Sequence, residues 1–461
     1  MNETTLAIDI GSTNISAVIA NIHNNKVQIV GHGTSESQGI KKGVISNIEL
    51  AANSIKKAVN DAKRVSGTNV SNAIVNISNA YAKSITSRGI IHLPNNEIDI
   101  KEINRVMQAS LYNARIPDEY EVVHILPYNF TVDDQEFIED PFGMNAARLE
   151  VDVNIILVQK SSLSNLKKAV RSSGIEIDSI VLSGYASAIT STTNEEKSQG
   201  VAVIDLGGQT SDLVVYTGNS IRYNDFLGVG SNHISNDLSM ALHTPFQVAE
   251  NIKFNYTNLL EVTNETIEVP VIGDENTMKS VSLEMIYNVV FARVEETLML
   301  LAKSLENSNL QSQIGAGIIL TGGMTKLKGI RELAQSIFTG ISVRLAQPHN
   351  IDGLFDELKD PSYSTVIGLL LYKAGHHTPY EIDFKQQLLH TKERYKDNLS
   401  DINLNKGGNN KNEQRKELKI ELEETQNSTK DNDIVFDELP DLEGENKNIL
   451  SKASNWLKQL F

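Results

Sequence analysis

Apolar residues follow strand and helix spacings over the first 384 residues of this 461-residue chain. Continuous apolar runs predict buried strands, and an apolar residue at every third or fourth position predicts amphipathic helices. Strands are predicted at 6–10, 15–20, 120–126, 151–158, 201–206, 213–216 and 317–321, and helices at 101–114, 246–256, 283–305, 327–334 and 362–373. We expect the folded body to end near Phe384.

From residue 385 to residue 447 the apolar periodicity fades, and Asn, Lys, Glu, Gln and Asp dominate. Residues 407–410 have the composition of a flexible linker, and residues 431–445 contain seven acids and no base. Such a segment cannot bury enough apolar surface to offset the entropy lost on ordering, so it is predicted to be a disordered acidic linker. The short apolar island at 434–436 stays unassigned.

The last fourteen residues, 448–461, regain a helical pattern. At about 100° per residue, one face of this helix is entirely apolar. Its members are Ile449, Leu450, Ala453, Trp456, Leu457, Leu460 and Phe461. A short helix of this kind lies in the membrane interface without crossing the bilayer, so we predict a membrane-targeting helix. The alternative is a terminal helix that docks on its own domain.

Composition narrows the class of protein. There is no cysteine, which excludes disulfides and thiolate zinc sites, and no apolar run long enough for a transmembrane helix. The N-terminus has no basic segment typical of a signal peptide, so a bacterial-type cytosol is expected. The net charge of -16 argues against nucleic-acid binding, because phosphate neutralisation needs a basic surface. Attraction to an anionic membrane would come from Lys452 and Lys458.

A hairpin motif occurs twice in the body. Asp9 ends a buried strand and precedes a Gly-Ser-Thr-Asn tip, and Asp205 likewise precedes a Gly-Gly-Gln-Thr tip. Glycines allow backbone N–H groups to turn toward a phosphate, and hydroxyl side chains add donors. A carboxylate at the strand end can hold a water of a hydrated Mg²⁺ ion. Two copies in equivalent halves predict a phosphate site, provided that the halves share a fold.

Two further segments could complete such a cleft. The strand at 317–321 ends in Gly322, Gly323 and Met324, where a flat base could lie against the backbone. Glu250 and Lys253 share one face of the helix at 246–256 and could reach ribose hydroxyls, although a solvated ion pair is the simpler interpretation of this spacing.

In this order and spacing, the motifs resemble those of the actin/Hsp70/sugar-kinase superfamily, and within it the FtsA family of bacterial cell-division proteins. The segment at 39–45 is similar to the basic glycine segment of that family. The resemblance covers residues 6–373 and the C-terminal tail. It implies an actin-like two-domain ATPase fold with an inserted subdomain 1C. The implied bounds are residues 1–83, 165–199 and 362–384 for the first half, 84–164 for subdomain 1C, and 200–361 for the second half, with a lobe IIB near 234–310.

The resemblance also implies a role for each motif residue. Asp9 and Asp205 would order the water on Mg²⁺, and ATP would be the nucleotide. The implied ATP contacts are Gly11, Ser12, Thr13, Asn14, Gly207, Gly208, Gln209, Thr210, Glu250, Lys253, Gly322, Gly323 and Met324. Arg293 and Glu296 match residues that receive the C-terminal peptide of FtsZ. Asp212, just beyond the second tip, is expected to stabilise its hairpin.

The sequence departs from the hydrolytic members of the superfamily. Residues 183–188 carry no carboxylate where Hsp70-like ATPases have one to position water. No acceptor base of the sugar-kinase kind is found, so the general-base contribution of about 10²–10⁴ in rate is missing. ATP is therefore expected to act as a structural and switching ligand that is hydrolysed slowly, if at all.

Three functions are considered. The first is an actin-like protein that polymerises on the cytoplasmic membrane face at the division septum, tethers FtsZ filaments and contacts other division proteins. The second is a type IV pilus assembly protein of the PilM kind, and the third is a small-molecule kinase. The acidic linker with its terminal amphipathic helix favours the first.

Overall fold

The computed structural model describes residues 3–80 and 82–390 of the chain. In this part, two five-stranded mixed sheets and one four-stranded antiparallel sheet each carry a buried apolar core. The prediction of two similar α/β halves with an inserted subdomain is therefore confirmed. None of the described helices is long and apolar enough to span a membrane.

The first half opens with an antiparallel strand pair, β1 and β2, and β1 also pairs in parallel with β6. Helix α1 covers the sheet through its alanine-rich face. Asn47 caps the helix by accepting the Leu50 N–H, and Gly67 ends it at a φ of 67°. The elements are β1 (Glu3–Ile10), β2 (Asn14–His23), β3 (Lys26–Glu36), β4 (Ile40–Lys41), β5 (Val44–Ile45), α1 (Ile48–Ser66) and β6 (Asn72–Ile77).

The insert forms the four-stranded sheet in the order β7-β10-β8-β9. Gly89 allows α2 to cross this sheet closely, because an added Cβ would lie 2.7 Å from the Ser110 backbone nitrogen. The helix and two of the strands were predicted, and both strands extend beyond their predicted ends. The elements are β7 (Ala82–His92), α2 (Ile100–Asn113), β8 (Tyr120–Val132), β9 (Gln135–Ile138) and β10 (Arg148–Gln159).

The chain then completes the first sheet, in the order β11-β6-β1-β2-β3, and forms the second, in the order β14-β13-β12-β17-β18. The connecting elements are α3 (Lys160–Ser172), β11 (Glu176–Leu182), α4 (Ser183–Ser191) and α5 (Asn194–Gln199). The second half contains β12 (Val201–Leu206), β13 (Ser211–Thr217), β14 (Ser220–Leu227), α6 (Ser231–Leu242), α7 (Phe246–Asn255), β15 (Thr266–Val271), β16 (Asp274–Ser282), α8 (Leu283–Asn307), β17 (Ile318–Thr321), α9 (Ile330–Ile337) and β18 (Val343–Leu345). Helix α10 (Ser364–Lys373) returns to the first core.

Two helix starts differ from the prediction. The helix predicted at 327–334 begins at Ile330. It cannot begin earlier, because Gly329 has a left-handed φ of 86° and follows a 3-10 turn at Gly323–Lys326. The helix predicted at 362–373 begins at Ser364, after a 3-10 turn at Pro361–Tyr363. In both cases the apolar spacing of the helix extends back through the preceding turn, so the sequence pattern alone does not reveal where the helix starts.

The segment after α10 packs on the body through a buried polar cluster. The Glu381 carboxylate accepts hydrogen bonds from Tyr185 at 2.9 Å and Tyr372 at 2.8 Å, and from His124 Nδ1 at 2.6 Å. Ile382 pairs with Ile125 of the insert, and the Lys385 ammonium lies 2.9 Å from Asp178. The predicted start of the linker at residue 385 is therefore too early, since residues 385–390 belong to the folded part.

Candidate functional site

A cavity of about 230 Å³ lies between the two halves, at the tips of their central hairpins. We call β1 with β2 the first hairpin and β12 with β13 the second hairpin. The cavity is lined by most of the predicted site residues. They are Asp9, Gly11, Ser12, Thr13, Asn14, Asp205, Gly207, Gly208, Gln209, Thr210, Glu250, Gly322, Gly323 and Met324.

The two hairpins have the same register. Asp9 faces Ser16 across the first hairpin, and Asp205 faces Asp212 across the second, each seven residues along the chain. The tips also match, because a Cβ on Gly11 would lie 2.6 Å from the Asn14 carbonyl oxygen and one on Gly207 would lie 2.9 Å from the Thr210 carbonyl oxygen. The repeated motif of the sequence is thus a repeated backbone structure.

The glycine after β17 meets the second hairpin closely. Gly322 has a φ of 90°, and an added Cβ would collide with the Asp205 carboxylate and lie 2.6 Å from the Leu206 carbonyl oxygen. At Gly323 a Cβ would have only Ser362 nearby, at 3.5 Å, on the cavity side. A side chain at position 322 is therefore excluded by the backbone angle and by its close contacts. A small side chain at position 323 would fit, but it would occupy space at the cavity wall.

Hydrogen bonds hold the two strand-end carboxylates in place. The Asn76 side chain donates to Asp9 at 2.6 Å and accepts the Ile10 N–H at 2.7 Å. In the second half, the Thr365 hydroxyl donates to Asp205 at 3.4 Å. Each carboxylate thus accepts a hydrogen bond from an element outside its own hairpin.

Three carboxyl side chains, those of Asp9, Asp205 and Asp212, line the cavity. Burial raises the pKa of Asp9 to about 7, and the nearby charge of Asp205 adds to this effect while Asn76 opposes it. Burial likewise raises the pKa of Asp205 to about 6. The pKa of Asp212 is raised well above its ordinary value, first by burial and then by the charges of Asp205 and Asp9. Buried acids whose charges raise one another's pKa favour a compensating cation.

Asp212 does not have the hairpin-stabilising role that was predicted for it. Its side chain lines the cavity, and its Oδ1 atom is buried with no hydrogen-bond partner among the described residues. A carboxylate oxygen left unpaired at a cavity wall fits a ligand, a water or an ion rather than a structural bond. The structure therefore places Asp212 with Asp9 and Asp205.

The carboxylates fit a hydrated magnesium ion. In the described residues no three acidic or histidine side chains stand close enough to ligate one metal ion directly. Mg²⁺ keeps several of its waters and usually binds through one or two carboxylates together with substrate phosphates. Asp9 and Asp205 would hold such waters, and the ion would neutralise phosphate charge between the two hairpin tips.

The opposite end of the cavity is shaped by α7. The Lys253 side chain is fully buried and does not line the cavity, so the predicted ribose contact by Lys253 is wrong for this structure. Its ammonium donates to Glu250 at 2.7 Å, and to the Ser231 and Ser235 hydroxyls at 2.6 and 2.9 Å. Lys253 instead positions Glu250, which reaches the cavity.

Comparison with known proteins agrees with this architecture. The family model described as "Cell division protein FtsA" matches residues 202–368, and the one described as "SHS2 domain inserted in FTSA" matches residues 79–157. The cell division protein FtsA of Helicobacter pylori is 39% identical over 415 residues, which cover 83% of this chain and 84% of that protein. The FtsA of Pseudomonas aeruginosa is 36% identical over 371 residues, covering 80% and 88%. The chain belongs to the FtsA family.

Solved structures support the actin-like fold of this chain. A PilM-PilN type IV pilus biogenesis complex matches with a TM-score of 0.58 and 16% identity, covering 80% of this chain and 98% of that one. MreB5 of Spiroplasma citri, solved with ADP bound, matches with a TM-score of 0.50 and 16% identity, covering 80% and 96%. At these identities the likeness concerns the fold alone.

Several residues that line the cavity could not be predicted from the sequence. They are Ser16, Asn76, Ser78, Ser183, Asn232, Phe254, Lys326, Ser362, Tyr363 and Thr365. They lie on or just after β2, β6, α4, α6 and α7, in the turns before α9 and α10, and on α10, so only the fold brings them together at the cavity. The polar ends of buried elements, such as Asn76 at the end of β6, were the one available signal.

The predicted partner residues are already paired with charged neighbours. Arg293 on α8 donates through Nε to Asp237 on α6 at 2.6 Å and through Nη1 to Glu296 at 2.6 Å. The Asp237 hydrogen bond raises the pKa of Arg293 above its usual range. Arg293 and Glu296 thus form one surface ion cluster. The predicted membrane residues, Ile449, Leu450, Trp456, Leu457, Leu460 and Phe461, lie outside the described residues.

Proposed function

We propose that this chain is an ATP-binding, actin-like cell-division protein that forms filaments on the cytoplasmic face of the membrane and tethers FtsZ filaments at the septum. Membership of the FtsA family supports the division role. The observation that carries nucleotide binding is the cavity between two hairpins of identical register, each with a glycine tip and a strand-end acid.

In this proposal the hairpin tips bind the phosphates of ATP. Backbone N–H groups at Gly11 and Gly207 and the hydroxyls of Ser12, Thr13 and Thr210 would donate to phosphate oxygens. The magnesium ion, held through water by Asp9 and Asp205, would supply charge neutralisation. Because several weak donors from both halves share one ligand, ATP binding would hold the halves together.

The base end of the cavity suits adenine through shape and apolar contact. Met324 and the Phe254 ring line this end, and the Lys326 ammonium lies 5.6 Å from the centre of that ring. Glu250, fixed by Lys253, is the acceptor for ribose hydroxyls. The choice of ATP over GTP rests on the resemblance to the family.

Hydrolysis is proposed to be slow. Helix α4 brings Ser183 rather than a carboxylate to the cavity, so it supplies no base to an attacking water. Asp212 also lines the wall, and its burial raises its pKa and so disfavours the ionised form that could act as a base. A protonated carboxyl cannot accept a proton from water. ATP then serves to set the conformation of the two halves.

Membrane attachment and FtsZ binding are proposed for two separate regions. The helix at 448–461 would bury its apolar face in lipid weakly, and each subunit of a filament would add another anchor, so that avidity makes the attachment stable. The Arg293 cluster on α8 would receive the acidic tail of FtsZ, with Arg293 exchanging an internal carboxylate for one of the peptide. The acidic linker would allow anchors to reach the surface.

The test measures recruitment of FtsZ to anionic liposomes by co-sedimentation with ATP and Mg²⁺. The unmodified chain is expected to carry FtsZ into the pellet. Trp456→Glu should leave both proteins in solution, because a charge is placed within the apolar face. Arg293→Glu should leave this chain on the liposomes and FtsZ in solution, whereas Lys359→Glu, in an exposed ion pair elsewhere, is the matched control. Pelleting unchanged by Trp456→Glu would contradict the membrane role and favour a docked terminal helix.

A pilus-assembly protein of the PilM kind has a similar fold, so the fold does not distinguish the two functions. Co-purification of partner proteins distinguishes them. FtsZ is expected among the bound proteins when the chain is purified from its own cells. A pilus assembly protein in its place would contradict the division role.

A further inference from the structure

The hairpin of β4 and β5 ends in a turn at the mouth of the cavity, which we call the clasp turn (Lys42 and Gly43). Both residues have left-handed backbone angles, with φ of 48° and 76°, as a two-residue type I′ turn requires. Ile40 is buried in the first core, and a side chain on Gly43 would collide with Ser78. The clasp turn is therefore seated against the first half in a defined position.

The two N–H groups of the clasp turn bind different hairpin tips. The Gly43 N–H donates to the Ser12 hydroxyl at 2.8 Å, within the first half. The Lys42 N–H donates to Gln209 Oε1 at 2.8 Å, which belongs to the second half. Thr13 adds a second link between the tips, since its hydroxyl donates to Asn232 at 3.4 Å. The hairpin tips are thus bridged by two contacts from one half to the other.

Gln209 can serve the clasp turn and a ligand at the same time. A glutamine amide has one carbonyl oxygen that accepts and one NH₂ group that donates. The oxygen is identified here by the Lys42 N–H, which can only donate. Gln209 lines the cavity, and among the residues that the structure describes its Nε2 atom has no hydrogen-bond partner. The free donor is therefore available on the ligand side.

We propose that Gln209 links the terminal phosphate of a bound nucleoside triphosphate to the clasp turn, so that the clasp distinguishes triphosphate from diphosphate. This inference rests on the proposed nucleotide site. A terminal phosphate that accepts from Nε2 orients the amide with its oxygen toward Lys42, and so strengthens the link between the halves. A diphosphate lacks that acceptor, and the amide is then free to rotate away from the clasp turn.

The charge on the phosphate gives this link its strength. A hydrogen bond to a charged group contributes roughly two to three times as much as one between neutral groups. Loss of one such bond corresponds to about a tenfold change in affinity. A ligand shifts the closed state only by its differential affinity for open and closed forms. In this proposal that difference comes from the amide orientation, because the orientation that donates to the phosphate also accepts from Lys42 of the other half.

The experiment compares the dissociation constants of ADP and a non-hydrolysable ATP analogue by calorimetry with Mg²⁺, together with amide hydrogen exchange in residues 40–45. The full-length chain is used. Gln209→Met keeps the size of the side chain and removes both hydrogen bonds. It is expected to weaken analogue binding about tenfold and ADP binding less than twofold. Protection of residues 40–45 by the analogue should disappear. Gln199→Met, on an exposed position outside the cavity, is the matched control.

Gln209→Glu tests the two hydrogen bonds separately. The carboxylate can still accept the Lys42 N–H, so protection of residues 40–45 in the nucleotide-free chain should persist, while analogue binding falls further because the new charge repels phosphate. This variant also decides the matter if Gln209→Met folds poorly.

The proposed link through Gln209 would be overturned if either variant weakened the binding of ADP and of the ATP analogue equally. It would also be overturned if Gln209→Met left the hydrogen-exchange protection of residues 40–45 unchanged. A different result, in which the unmodified chain binds neither nucleotide, would instead refute the nucleotide site itself and the clasp with it.

Discussion

Asp9 in the first hairpin faces Ser16, and Asp205 in the second hairpin faces Asp212, although the register of the two hairpins is the same. Both opposing residues are buried, with 5% and 6% of their surface exposed. The first hairpin therefore pairs its acid with a neutral hydroxyl, whereas the second adds another carboxyl. The repeated backbone supplies the shape of the site, and the residue opposite the strand-end acid gives the second half a further buried carboxyl group.

The supports of the two acids show the same pattern. Asn76 near the end of β6 donates to Asp9 at 2.6 Å, and Thr365 on α10 donates to Asp205 at 3.4 Å. The amide of Asn76 lowers the pKa of Asp9, while burial dominates at both acids. The two halves thus share one backbone architecture but hold their acids in different electrostatic surroundings.

Ser16→Asp makes the first hairpin resemble the second and is expected to have the largest effect. The new carboxylate would be buried beside Asp9 without a partner, which we expect to cost about 3 kcal/mol of unfolding free energy at pH 8. Urea denaturation of the nucleotide-free chain measures this loss. Ser16→Asn, of similar size and neutral, is the control and should cost less. A loss below about 1 kcal/mol would show that the first hairpin tolerates a second acid.

Gly322→Ala tests whether the second hairpin depends on close approach of the backbone. The Cβ would collide with Asp205 at a residue whose φ is 90°, so we expect a loss of about 2 kcal/mol and much weaker ATP binding. Gly323→Ala is the matched neighbour. Because its Cβ meets only Ser362, at 3.5 Å, its stability should change by less than about 0.5 kcal/mol. Equal melting temperatures for the two variants would contradict the predicted collision.

Asp212→Asn removes the carboxyl that distinguishes the second hairpin and keeps its size. The folded protein holds this carboxyl at a raised pKa, so its ionisation opposes folding as the pH rises. We expect the variant to be more stable than the unmodified chain by about 1 kcal/mol at pH 8, with a smaller difference at pH 5. Chemical denaturation at both pH values measures the gain. A gain that does not depend on pH would exclude a charge effect at Asp212.

The pH dependence of the unmodified chain is the smallest effect. Asp9 and Asp205 titrate near 7 and 6 in the folded chain, above their ordinary value of 3.8. The folded chain then binds more protons than the unfolded chain between about pH 4 and 7, so this contribution to stability falls as the pH rises through that window. Mg²⁺ with ATP favours the ionised acids, and its stabilising effect should therefore increase from pH 6 to pH 8. Thermal unfolding with and without Mg·ATP measures both trends, and Asp9→Asn should reduce the slope.

Much of the fold could be predicted because the apolar spacing is regular in long elements. The two hairpins, helix α8 and the paired halves follow from runs that the sequence shows directly. The edge strands β7 and β9 were not predicted, because few of their residues are buried and they lack a continuous apolar run. The segment at 385–390 was assigned to the linker, since a polar segment held by a few specific contacts has no apolar signature.

The candidate site could be predicted only where it follows the chain. Residues in the hairpin tips are contiguous, so glycine, hydroxyl and acid spacing identified them. The roles of Lys253 and Asp212 were mistaken, because spacing along a helix or strand does not say which side of the element faces the cavity. Lys253 points toward α6 and Asp212 toward the cavity wall, and each orientation depends on the packing of another element.

The most direct test of the account is a calorimetric titration of the full-length chain with ATP, carried out with Mg²⁺ and then with EDTA. We expect one ATP to bind per chain, and we expect this binding to weaken strongly when the metal is removed. Asp205→Asn should bind more weakly with Mg²⁺ and resemble the unmodified chain without it. Absence of ATP binding, or binding of equal strength in Mg²⁺ and EDTA, would contradict the claim that the two hairpins and their acids form a magnesium nucleotide site.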